Sequence, residues 1–461
     1  MEQMKPMSVA PWLLAACIAV AAPVANAQPA PPPAAPAGPA TTAPAASDTT
    51  AAPGAAPAAA PAPPPGFWIN GIHLSAQIEG GFTANPGTPD SGVNFGRLFD
   101  DRANQPLLNQ VLLTANKPLD PKATGFDWGF KVQGMYGSDA RYTHFLGVFD
   151  QFNGPSDRNQ FDIVEANVLF HLPFPTDGGM DIKAGMFSTP LGAETIDPST
   201  NPFYSHSYIF NFGLPLKHTG VLTTTHVTPL LDIYAGIDTG VNTTIGCCKA
   251  DNNGSIAGIV GFGLNMLDGN LTLLVLSHMG PENPSMGLTP LGFNANQYMR
   301  YENDAVLIWK ATDAITLTTE ANWIRDDFLG IVRTGKPSPA NGYGVAQYFA
   351  YNISDTATFN ARAEIWRDDS GAFVFGFPGN NDAVRSQLGL ANTSFSLVTG
   401  KPTTYGEITV GVTFKPSLPA PITGLLIRPE LRVDSSLNGT KPFNNGAQSA
   451  VTVASDFVLT F

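Results

Sequence analysis

From Trp68 to Phe461 apolar and polar residues alternate with a period of two, segment after segment, and this pattern limits the fold more than any other feature of the chain. Successive side chains of a β-strand point to opposite faces, so strict alternation builds strands with one apolar and one polar side. Ile72, Leu74, Ala76 and Ile78 interleave with His73, Ser75, Gln77 and Glu79. Ile315, Leu317, Thr319, Ala321 and Trp323 interleave with Thr316, Thr318, Glu320 and Asn322. Phe359, Ala361, Ala363 and Ile365 alternate with Asn360, Arg362 and Glu364, and Ile408, Val410, Val412 and Phe414 with Glu407, Thr409 and Thr413.

A soluble sandwich also alternates, and composition separates the two cases. Only 13% of the residues are charged, against about 25% in ordinary soluble domains. Beyond the N-terminus there is also no run of about 18 apolar residues of the kind a membrane helix needs. A transmembrane barrel reconciles the two, because each strand shows an apolar row to lipid and a polar row to the lumen.

The connections support this reading. Short turns at 119–122, 175–178, 267–270, 312–313, 354–355 and 416–419 alternate with long polar or Gly-rich segments near 85–106, 140–158, 195–217, 280–295, 327–341 and 369–403, as periplasmic turns alternate with outer loops. The expected fold is all-β, a transmembrane antiparallel β-barrel of about 16 strands spanning 67–461. Trp68, Trp309, Tyr351 and Phe414 fall near the short-turn ends, where an aromatic girdle belongs.

The first 66 residues are of another kind. Lys5, an apolar core from Trp12 to Val24 and Ala25-Asn26-Ala27 form a secretory signal cleaved after Ala27. Leu14-Ala15-Ala16-Cys17 resembles a lipobox, but the apolar run continues past Cys17 to the better site. Residues 28–66 are almost wholly Ala, Pro, Thr and Gly, an extended linker unable to bury a core. The mature chain keeps Cys247 and Cys248, adjacent in a loop, with no spacing that suggests a metal site.

The inward rows mix signs. Arg428, Glu430, Arg432 and Asp434 alternate on one strand, Arg300, Glu302 and Asp304 on another, Arg362, Glu364 and Asp368 on a third, and Asp127, Lys131 and Gln133 on a fourth; Glu320 adds a further inward carboxylate. Such rows either set a field across a wet pore or pair to brace it. The net charge is −13, which favours cations only where the charges sit at the constriction. The segment 195–217 is the candidate constriction: Asn201, Phe203, Tyr204, His206 and Tyr208 make it too aromatic for a solvated loop, and Pro202 and Pro215 break any strand there.

Phe457, Leu459 and Phe461 alternate up to a terminal aromatic, which looks like the signal read by the outer-membrane assembly machinery. Lys183-Ala184-Gly185-Met186-Phe187, then Leu191-Gly192-Ala193-Glu194, Asn201, Tyr204-Ser205-His206-Ser207 and His218-Thr219-Gly220 resemble the OmpL-like β-barrel porin family of Gram-negative outer membranes. The resemblance implies an outer-membrane channel and names no substrate. The expected function is passive diffusion of small polar solutes or ions, with outer-membrane lipids and the assembly machinery as partners, a homotrimer as one arrangement, and no cofactor, metal or nucleic acid. A closed barrel serving adhesion or structure is the alternative; an outer-membrane hydrolase is a weaker one, since none of the seven histidines sits in a recognisable catalytic motif.

Overall fold

The computed structural model describes residues 67–150, 157–244 and 251–461. The expected signal sequence and linker and the Cys247-Cys248 pair lie outside them. Among the described residues the alternating segments form seventeen strands in one antiparallel sheet. They are β1 (Phe67–Ile69), β2 (Ile72–Ala84), β3 (Pro106–Lys117), β4 (Asp127–Gly137), β5 (Gln160–Leu172), β6 (Met180–Ser188), β7 (Lys217–Thr228), β8 (Leu231–Asp238) and β9 (Ala257–Met266). They continue with β10 (Leu271–Pro281), β11 (Met299–Lys310), β12 (Ile315–Asp326), β13 (Ala340–Ser354), β14 (Ala357–Asp368), β15 (Thr403–Phe414), β16 (Gly424–Ser436) and β17 (Ser449–Thr460).

Sixteen of these, β2 to β17, pair each with the next and close into a ring when β17 meets β2, from Val453 opposite Ala84 to Thr460 opposite Gln77. Phe461 extends the seam, its N–H donating to the Ala76 carbonyl at 2.9 Å. Closure removes the edges that would otherwise leave unpaired backbone groups in lipid. The short β1 doubles back on the start of β2 through Asn70-Gly71, both with positive φ (50° and 80°), the backbone that a two-residue hairpin turn requires.

The register puts the predicted rows on the predicted faces. Ile365, Ile408, Val453 and Leu113 are among the most exposed apolar residues and point outward, where lipid covers them. Their sequence neighbours Glu364, Glu407, Thr452 and Leu112 are buried in the lumen. Trp309, Tyr351 and Phe414 stand outward at the short-turn ends.

Two features depart from the sequence expectation. The candidate loop runs from 189 to 216, beginning earlier than 195 and ending before Lys217, which opens β7. Lys217 is held inside the wall because its Nζ meets Asp162 at 2.6 Å and the Ile163 carbonyl at 2.7 Å. In addition, the middle of the inner face of β7–β10 is apolar: Leu222, Tyr234, Ile259, Leu274 and Leu276 join one apolar cluster with Leu191 and Leu214 of the loop, between His218, Asp238 and His278 towards the long loops and His226 and Asp232 nearer the short turns. β10 reads Leu-Thr-Leu-Leu-Val-Leu, apolar on both faces, because one packs on lipid and the other on the loop.

The seam carries a direct test. Deleting 457–461 removes the ladder from Phe457 to Phe461 that joins the last strand to β2. The refolded, truncated chain is expected to lose the fast-migrating band that a closed barrel shows in unheated gels, while wild type keeps it.

Candidate functional site: the lumen-crossing loop

A loop that enters the lumen takes its backbone N–H and C=O groups out of bulk water, and each needs a partner there. The alternating wall supplies them. Gly192 N–H donates to Asp304 of β11 at 3.0 Å and Ala193 N–H to Glu320 of β12 at 3.1 Å. Tyr208 and Ile209 N–H both donate to Glu364 of β14, at 2.7 and 2.9 Å. Tyr204 N–H donates to Glu430 of β16 at 2.9 Å, with Ser205 N–H beside it at 3.3 Å.

Arginines serve the carbonyls. Arg428 donates to the Pro198 and Asn201 oxygens at 2.6 and 2.7 Å, Arg362 to Ser205 O at 2.9 Å and Arg432 to His206 O at 2.5 Å. Each guanidinium also has carboxylates. Arg362 bridges Glu194 and Glu407 at 2.6 Å each, Arg428 pairs with Asp456 and Glu79, and Arg432 with Asp434 at 2.8 Å. Asp434 is shared further with Arg97, from the first long connection, at 2.8 Å, and with the Tyr208 hydroxyl at 2.9 Å.

The loop's own side chains hold it in place. Asn201 brackets Thr195, accepting from its N–H at 2.9 Å and donating to its carbonyl at 2.8 Å. Phe203 lies against the Arg362 guanidinium, 5.2 Å from ring centre to carbon. The Tyr204 hydroxyl reaches Asn109 of β3 at 3.0 Å. His206 stacks on Phe210 at 4.0 Å and bonds Glu194 at 2.8 Å, while Tyr208 stacks on Tyr405 of β15 at 4.9 Å. All five are buried.

The structure therefore brings most of the predicted inward charges together, but against protein. Asp304, Glu320, Arg362, Glu364, Arg428, Glu430, Arg432 and Asp434 are each at most 4% exposed, and Glu302, equally buried, pairs instead with His278 of β10 at 3.0 Å. The other three stand apart: Arg300 pairs with Asp326 at 3.0 Å, Lys131 with Glu165 at 3.4 Å, and Asp127 sits near the 118–126 turn beside Lys117 at 3.5 Å. Residues that sequence reasoning did not assign to the site include Glu194, Tyr348, Glu407 and Asp456. Glu194 carried no local signal, since its partner Arg362 lies 168 positions away.

Burial alone would raise the Glu194 carboxyl, but Arg362 and the His206 hydrogen bond outweigh it and hold the pKa at about 2.

A closed sixteen-strand antiparallel barrel with alternating short turns and long loops, one of them folded inward, defines an outer-membrane barrel of the porin type. The chain matches the family described as "Putative beta-barrel porin-2, OmpL-like" over residues 71–461, and it belongs to that family. Two solved structures with TM-scores of 0.50 or above agree in fold. OmpF of Salmonella typhi, in complex with daunomycin, matches at TM-score 0.51 and 9% identity, over 86% of this chain and 99% of that one. A loop L8 deletion mutant of Vibrio cholerae OmpT matches at 0.50 and 9%, over 85% and 99%. The outer membrane channel DcaP of Acinetobacter baumannii matches at 0.46 and 10%, also over 85% and 99%. No curated protein sequence matches the chain.

Two outcomes follow from the clamp. Arg362→Ala takes from Glu194 and Glu407 their 2.6 Å cation, leaving His206 beside the first and Arg432 3.6 Å from the second, and breaking a buried pair costs about 3–5 kcal/mol; protease digestion of the folded barrel should then cut within 189–216, which wild type is expected to resist. Glu194 contributes stability in full above its ordinary pKa of about 4.3 and loses it as pH falls towards 2. The gap between the gel-shift melting temperatures of wild type and Glu194→Gln should accordingly stay constant from pH 5 to 8 and shrink below pH 4.

Proposed function

We propose that the protein is a channel for passive passage of small polar solutes or ions, with residues 189–216 as the element that limits its conductance. The observation that carries this reading is the clamp, which ties a loop rooted between β6 and β7 to β11, β12, β14 and β16 across the lumen. Membership of a porin family supports passage and a non-enzymatic role. Nearer the short turns the inner face stays wetter: Asp181 is 37% and His226 32% exposed, with Lys131 on the same wall. These residues and Asp127, together with Arg300 at the long-loop end of β11, are our candidates for a water-lined surface. The charges under the loop would join them when it moves.

A second reading has its own observation. Glu302, Ile324, Trp366, Tyr405 and Asp434, inward residues towards the long-loop end, are all buried, as expected of a barrel shut by its own loops and serving adhesion or structure. Phe457, Leu459 and Phe461 are proposed as the assembly signal, and a homotrimer as the arrangement in outer-membrane lipid, to be read from the mass in detergent.

Single-channel recording in planar bilayers separates the two. The channel reading expects small, stepwise conductance from wild type and a several-fold rise when 195–213 is replaced by a short Gly-Ser linker. Silence from both chains, with each barrel folded, would overturn it in favour of the closed barrel.

A further inference from the structure

Away from the clamp, three strands converge on a second buried cluster. His218 of β7, Asp238 of β8 and His278 of β10 bring their ligand-type atoms within 4.8 Å of one another, all buried. His218 Nδ1 stands 3.4 Å from Asp238 Oδ2, and His278 Nε2 stands 3.2 Å from Asp238 Oδ1. His218 Nδ1 and Asp238 Oδ2 have no hydrogen-bond partner, although both side chains are at most 1% exposed.

The far side of each imidazole is already engaged. His218 Nε2 meets the Thr189 hydroxyl at 3.1 Å, and His278 Nδ1 meets the Glu302 carboxylate at 3.0 Å. If each ring carries its proton on that far nitrogen, both remaining lone pairs point at the lone pairs of Asp238. Such an arrangement is repulsive unless a cation lies between them. One added proton answers it at a single ring, His278 then lying as an imidazolium between Glu302 and Asp238, but it leaves His218 Nδ1 and Asp238 Oδ2 without a hydrogen bond. A divalent ion answers it with one centre of charge.

The spacing suits zinc. Ligand atoms about 2.0–2.1 Å from a tetrahedral ion stand about 3.3–3.4 Å from each other; the two histidine–aspartate separations, one to each oxygen of Asp238, are close to this, and the three ligand atoms, within 4.8 Å of one another, would draw together around the ion. A histidine ligand whose other nitrogen is fixed by a carboxylate is also how such sites orient their ligands, and Glu302 holds that position. We infer that His218, Asp238 and His278 form a binding site for a zinc-class divalent cation, with Glu302 and Thr189 orienting the two imidazoles and water completing the coordination. The ion would join β7, β8 and β10 and, through Thr189, the root of the lumen-crossing loop.

The test uses the mature chain, untagged, refolded in detergent, stripped with chelator and dialysed against micromolar Zn²⁺. One zinc per barrel is expected in wild type, in a Cys247→Ser/Cys248→Ser variant and in His226→Asn, which alters another histidine–aspartate group, His226 with Asp181 and Asp232. His218→Gln and Asp238→Asn should bind none while migrating as folded barrels, and Glu302→Gln should bind about 10–100-fold more weakly. Co²⁺ bound to wild type should give the intense visible bands of a tetrahedral nitrogen–oxygen site, a readout that holds even where a ligand variant fails to fold. A wild-type barrel that retains no zinc, folded ligand variants that keep it, or cobalt bands that vanish with the cysteines would each overturn the assignment.

Discussion

A chain segment that leaves the sheet and crosses the inside of a barrel carries unpaired backbone groups into a space with little water, and each one left without a partner costs about 1–3 kcal/mol. The arrangement of this lumen depends on how that cost is met. Asp304, Glu320, Glu364 and Glu430 accept the N–H groups of 189–216, and Arg362, Arg428 and Arg432 donate to its carbonyls. A wall residue serves here as a capping residue serves a helix end, with the difference that the wall and the loop are far apart in sequence.

Burying so many charges is itself unfavourable unless each is paired and hydrogen-bonded. The ladder meets that condition by alternating sign along and across strands: Arg362 lies between Glu194 and Glu407, and Arg97 and Arg432 both meet Asp434. Pairing of this kind sets geometry more than it adds stability, because a loop displaced by one residue would offer a carbonyl where a carboxylate waits. The opposite wall works differently. Leu222, Ile259, Leu274 and Leu276 give Leu191 and Leu214 an apolar surface without directional demands. One side of the lumen thus fixes the loop's register and the other provides bulk.

Much of the architecture was legible in the sequence for a simple reason. Lipid outside and protein or water inside impose a period of two on every spanning strand, and the turn chemistry at sites such as Asp268-Gly269 punctuates it. The inward charges could be named because alternation fixes which face each residue takes. Their partners could not: nothing near Glu194 points to Arg362, and nothing near Gly192 points to Asp304. The same limit hid the His218–Asp238–His278 cluster, whose members lie on three strands and share no local spacing.

Sequence alone determined the barrel, its approximate strand number, the faces of its strands and the aromatic segment that cannot remain a solvated outer loop, because each follows from local period, composition or turn residues. Only the tertiary structure decided that the mixed-sign rows bind a backbone instead of lining open water, that the middle of the inner face of β7–β10 is apolar, and that the loop starts at 189. Closing the sheet brings β6 within reach of β11 to β16 across the lumen. Which polar groups meet there is set by strand stagger and ring size, quantities that no local stretch of residues encodes.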